Sequence, residues 1–73
     1  MIPEPGFITS MVGRIADLAG VSTATARECL AAGMREMEAI QWLRWGRRRG
    51  LSAEQVIEAW RQAGQAQRRR VRP

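Results

Sequence analysis

The chain has no histidine, no lysine and no tyrosine, and it carries one cysteine and one phenylalanine. Asp17 is its sole aspartate. Nucleophilic or acid–base catalysis needs a base held close to its task, and these absences leave little besides glutamates to supply one. Glu36 and Glu38 stand two apart, so on a helix they do not face each other. No glycine-rich phosphate loop is present. An enzyme is therefore not expected, and no cofactor is. With no histidine and no second cysteine, a metal site built from such ligands is excluded. Cys29 has no partner for a disulfide, which fits a reducing compartment. No charged-then-apolar leader and no apolar run of membrane length occurs, so the expected setting is cytoplasmic, with no membrane partner.

What is present is arginine. The 12 cations are all Arg, against 7 acids, for a net charge of +5. Their distribution is uneven. Residues 1–40 hold Arg14, Arg27 and Arg35 against Glu4, Asp17, Glu28, Glu36 and Glu38, a net of −2. Residues 41–73 hold the other arginines against Glu54 and Glu58, a net of +7. Such asymmetry points to an acidic partner, either nucleic acid or an acidic protein surface.

Apolar spacing predicts an all-α chain of three to four short helices. Seventy-three residues make one small domain, expected over 1–64 and followed by a basic tail at 65–73. Met1–Gly6 has two prolines and a glycine, which predicts an extended arm over residues 1–7. Helix 1 is expected from Thr9 or Ser10, with Ile8, Met11, Val12, Ile15, Leu18 and Ala19 on its apolar face. Gly20 suits the left-handed position that ends it. Ser22 is the expected N-cap of helix 2, with Val21 and Ala26 as its hydrophobic staple and Gly33 as its stop. Cys29 reads as a small buried hydrophobe.

Helix 3 is expected from Met34 or Arg35 to Arg48, with a stripe of Met37, Ile40 and Leu43. Trp42 reads as core. Trp45 lies beside Gly46 and the Arg47–Arg49 run, where an aromatic among cations suits a binding face. Helix 4 has a strong start: Ser52 and Gln55 form a capping box, and Leu51 with Val56 a staple. Val56, Ile57, Trp60 and Ala63 face inward, and Gly64 is the expected stop. Gln65–Pro73 has too little apolar content to fold and is expected to be disordered.

Residues 15–26, Ile-Ala-Asp-Leu-Ala-Gly-Val-Ser-Thr-Ala-Thr-Ala, resemble the DNA-binding helix-turn-helix of lactose-repressor-family regulators. That family reads Val-Ala-x-x-Ala-Gly-Val-Ser-x-x-Thr-Val-Ser-Arg-x-Leu. Its turn stands here as Ala19–Ser22, its threonine as Thr25 and its closing leucine as Leu30. The family's Val-Ser-Arg is Ala26-Arg27-Glu28 here, so the arginine is displaced by one, and the family's effector domain has no counterpart. The resemblance implies that the N-terminal end of helix 2 enters the major groove, with Ser22, Thr23, Ala24 and Arg27 toward the bases.

Residues 12–43 resemble, with weaker identities, ubiquitin-associated-type three-helix modules, including the N-terminal module of elongation factor Ts. The shared close is Met37-Glu38-Ala39-Ile40-Gln41-Trp42-Leu43, one residue shorter than the family's. Such modules bind proteins. In size, charge and helical content the chain also resembles small phage proteins that bind host RNA polymerase.

The first functional expectation is a non-enzymatic transcription regulator. It would bind DNA through the helix-turn-helix, with Arg14 and Arg27 flanking the reading helix. Arg44, Arg47, Arg48, Arg49, Arg68, Arg69, Arg70 and Arg72 would neutralise phosphates. The alternative is a protein-binding regulator. The same arginines would then meet an acidic surface, Ile2, Phe7 and Trp45 would supply apolar contact, and RNA polymerase would be the first candidate partner. A third class, a structural role such as a small nucleic-acid-associated packing protein, predicts sequence-independent binding and self-association.

Overall fold

The computed structural model describes the backbone of residues 4–71 and the side chains of residues 10–67. It is all-helical: α1 is Glu4–Ala19, α2 Thr23–Ala32, α3 Glu36–Arg48 and α4 Ala53–Val71. No helix among the described residues is long and apolar enough to cross a membrane.

The three junctions are set by local chemistry. At the first, Ala16 O accepts hydrogen bonds from the N–H groups of Gly20 and Val21 at 2.9 and 3.0 Å, and Gly20 sits at φ +73°. That left-handed geometry is costly for a residue with a Cβ. Ser22 then caps α2, its hydroxyl accepting from the Thr25 N–H at 3.2 Å. At the second junction, Gly33 N–H and Met34 N–H bond back to the carbonyls of Leu30 and Cys29. Glu38 reaches back to the Arg35 N–H at 3.0 Å. This is half a capping box, because a guanidinium has no acceptor to complete it. At the third, the Ser52–Gln55 box is complete: Ser52 N–H donates to Gln55 Oε1 at 2.8 Å and Gln55 N–H to Ser52 Oγ at 3.2 Å.

The core is Val12, Ile15 and Ala19 of α1, Ala26 and Cys29 of α2, Met34, Ala39, Ile40 and Leu43 around α3, and Val56 of α4. Met11, Val21, Leu30, Trp42, Leu51, Ile57 and Trp60 are half-buried against it. Helix α1 packs on α2 and α3, α4 packs on α2 and α3, and α1 does not touch α4 among the described residues. Arg14 of α1 lies by Glu36 of α3, and Gly20, just past α1, lies by Arg47. The two helices therefore run in the same direction and end together. Gly46 abuts Val56 and Glu38 lies by Trp60, so α4 runs back antiparallel to α3.

Several expectations are corrected. Helix α1 begins at Glu4, not at Thr9 or Ser10, so of the expected arm only residues 1–3 remain, and they lie outside the described residues. Pro5 does not prevent this, because in a first helical turn its missing N–H has no partner to lose. Helix α4 does not stop at Gly64 but continues to Val71, so residues 65–71 of the expected disordered tail are helical. Glycine costs a helix interior only about 1 kcal/mol, and the Gln, Ala and Arg that follow are good helix formers. Residues 72–73 lie outside the described residues.

Three residues assigned to apolar faces sit outside them: Leu18 is 59% and Met37 62% exposed, and Ala63 is exposed. The buried row of α1 is Val12, Ile15, Ala16 and Ala19, which leaves Leu18 at its edge. In α3 the row is Ala39, Ile40, Leu43 and Gly46. It is rotated toward the small residues that admit neighbouring helices, and away from Met37. The radius of gyration, 13.6 Å, exceeds the about 11 Å of a compact chain of this length.

Candidate functional site

The shared end of α1 and α3 carries the densest group of cations among the described side chains. Arg44, Arg47 and Arg48 line an open groove with Leu18 and Ala19. All three arginines are exposed. Leu18 stands among them as one of the two large hydrophobics left exposed among the described residues. Arg47 lies across Gly20, so closely that a Cβ there would overlap its guanidinium. The cations gather here for a structural reason too: the C-terminal ends of both helices point to this place, and their dipoles favour positive charge.

Next to the groove, Arg49 Cζ stands 5.1 Å from the centroid of the Trp45 ring, a cation–π distance. Trp45 meets Trp42 edge to face, with centroids 5.2 Å apart and planes at 74°. Trp45 is half-buried, so its ring anchors Arg49 while one side stays accessible.

Other expected site residues fall elsewhere. Ser22, the N-cap of α2, and Thr23, Ala24 and Arg27 on α2 are exposed, but the Ser22 hydroxyl is engaged in its cap and also donates to Thr25 Oγ1 at 3.1 Å. Arg14, expected to flank a reading helix, is paired with Glu36: Nε donates to Oε2 at 2.6 Å and Nη2 to Oε1 at 3.1 Å. This two-point pairing lowers the Glu36 carboxyl below its ordinary value, first by the hydrogen bond and then by the arginine's charge. It raises the Arg14 guanidinium for the same reasons. Burial, and secondarily the charge of Glu28, pushes the Cys29 thiol up.

The arginine positions of α3 and of the last turns of α4 are far apart along the helix axis. Because α4 runs back along α3, the helix positions of Arg68–Arg70 lie about 18 Å along the axis from the Gly46–Val56 contact, at 1.5 Å per residue. The side chains of Phe7, Arg68, Arg69 and Arg70, and the whole of Ile2 and Arg72, lie outside the described residues. What the sequence reading missed is Leu18, assigned to the core. The one available signal was its place at the margin of the apolar row.

A second groove lies between α2 and α4, lined by Glu28, Ala31 and Ala32 of α2 and by Glu54, Ile57 and Glu58 of α4, with Gln55 and Arg61 also at its wall. It is the acidic counterpart of the first. Among the described residues, no group of three histidines, cysteines or carboxylates is placed to hold a metal ion. No family model, no curated protein and no solved structure matches the chain.

Proposed function

We propose that this chain is a small non-enzymatic regulator that binds an acidic surface of a partner protein through the joint end of α1 and α3. The observation that carries this reading is Leu18, 59% exposed amid Arg44, Arg47 and Arg48. An apolar centre with a charged rim is the anatomy of a protein interface, whereas phosphate contacts are made by cations and hydrogen-bond donors. RNA polymerase is the first partner to test, on the strength of the resemblances to transcription regulators and to polymerase-binding phage proteins.

A second reading is DNA binding through α2, favoured by the exposure of Thr23, Ala24 and Arg27. Against it stand the pairing of Arg14 with Glu36 and the acidic groove along the other flank of α2. The two separate in a titration of the chain against immobilised bacterial RNA polymerase and against random duplex DNA. The protein reading expects saturable polymerase binding that weakens with salt and with Leu18→Ala. Duplex binding without polymerase binding, weakened in Arg27→Ala, would establish the DNA reading instead.

A further inference from the structure

Two grooves on this molecule have matching linings of opposite charge. The groove between α1 and α3 carries exposed Leu18 at its wall, together with Arg44, Arg47 and Arg48. The groove between α2 and α4 presents a shallow apolar floor of Ala31, Ala32 and Ile57, rimmed by Glu28, Glu54 and Glu58. All three glutamates are exposed. Glu58 accepts a hydrogen bond from Gln62 at 3.0 Å, which leaves its charge in place, and Arg61 stands as a lone cation at that wall. The alanines leave room where a leucine side chain would need it.

One copy cannot bring these linings together. The two grooves share no lining residue, and helices α1 and α4 have no contact among the described residues. We infer that copies of this chain associate head to tail, Leu18 of one seated on the Ala31–Ala32–Ile57 floor of the next and its arginine rim facing that copy's glutamates. Such a contact joins two different surfaces, so it propagates into a ring or an open row and is not used up in a symmetric pair. Each contact is small and its charges are exposed. The association is therefore weak and sensitive to salt. It uses the same basic end as the proposed partner, so partner binding and self-association compete. It does not require that reading to be true.

The test is sedimentation velocity of the purified chain alone, from dilute to millimolar concentration, at low and high salt. The expected result is a sedimentation coefficient that rises with concentration at low salt and falls back toward that of the monomer at high salt. Arg44→Glu with Arg48→Glu, and separately Glu28→Arg with Glu58→Arg, should each stay monomeric while keeping the helical circular dichroism of the parent. Mixed in equal amounts the two variants should associate again, because each now carries the rim that the other lacks. Leu18→Ala should weaken association without altering charge. A parent chain that stays monomeric throughout overturns the inference, as does association only when nucleic acid is added. Failure of the mixture to recover, with an associating parent, overturns it as well, because the contact then does not pair the two rims. Polymerase binding is measured separately, so either idea can fail without the other.

Discussion

At the scale of single residues, two glycines on neighbouring helices are expected to respond in opposite ways to the same change. Nothing lies within 4 Å of a Cβ built on Gly13, and Gly13 stands inside α1. Gly13→Ala should stabilise the fold by about 0.5–1 kcal/mol, the usual gain from removing an interior helical glycine. At Gly46 the added Cβ would overlap Val56 Cγ2, and Val56 is buried. Gly46→Ala should cost about 1–3 kcal/mol, as overpacking does. Urea unfolding followed by tryptophan fluorescence reads both.

The Arg14–Glu36 pair makes a second residue-level prediction. Glu36 has a folded-state value below its unfolded one. Its stabilising contribution is therefore fully present above the unfolded value and is lost as pH falls through the folded one. Both side chains are partly exposed, so the effect on stability is small, and carboxyl NMR titration is the measurement to use. Glu36 should titrate below the ordinary glutamate range, and Arg14→Ala should return it there.

At the scale of elements, the helix boundaries that rest on short-range chemistry were readable and those that rest on composition were not. Gly20, Ser22, Gly33 and the Ser52–Gln55 box act through atoms within a few residues, so their spacing carries the whole signal. Pro5 and Gly64 were over-read as breaks. A proline in a first turn costs nothing, and one glycine is a modest penalty that good flanking residues outweigh. Leu18 and Met37 failed for another reason: periodicity finds an apolar stripe, but a neighbouring helix decides which edge it covers.

The box at Ser52 offers the element-scale test. Helix α4 reaches the rest of the fold through α2 and α3 alone among the described residues, so its start has to be held locally. Ser52→Ala should cost about 1 kcal/mol, within the usual range for losing an N-cap. Hydrogen exchange should show the loss in the first turn of α4 before any change in α1 or α2.

At the scale of the whole molecule, the charge asymmetry of the sequence was legible but its layout was not. Counting places nine of the arginines in residues 41–73 and invites one basic face. The antiparallel return of α4 divides them, leaving Arg44, Arg47 and Arg48 beside Leu18 while the positions of Arg68–Arg70 are carried past the N-terminal end of α3. A chain fold can separate neighbours in composition as readily as it joins residues distant in sequence, as Leu18 and Arg47 show.

This division makes the two arginine groups separable by experiment. If an acidic partner is held by an apolar contact ringed with cations, the group around Leu18 supplies both terms, and the far group adds only long-range attraction that salt screens. Arg44→Glu with Arg48→Glu should then weaken partner binding by about tenfold or more, at least 1.4 kcal/mol, through slower association together with faster dissociation. Replacing Arg68, Arg69 and Arg70 with glutamine should change mainly the association rate, and that change should vanish at high salt. Surface plasmon resonance on immobilised polymerase at two salt concentrations resolves both rates. Equal sensitivity of the two groups would mean that the partner spans the full length of α4, as a polyanion lying along the molecule would, and would move the working surface away from Leu18.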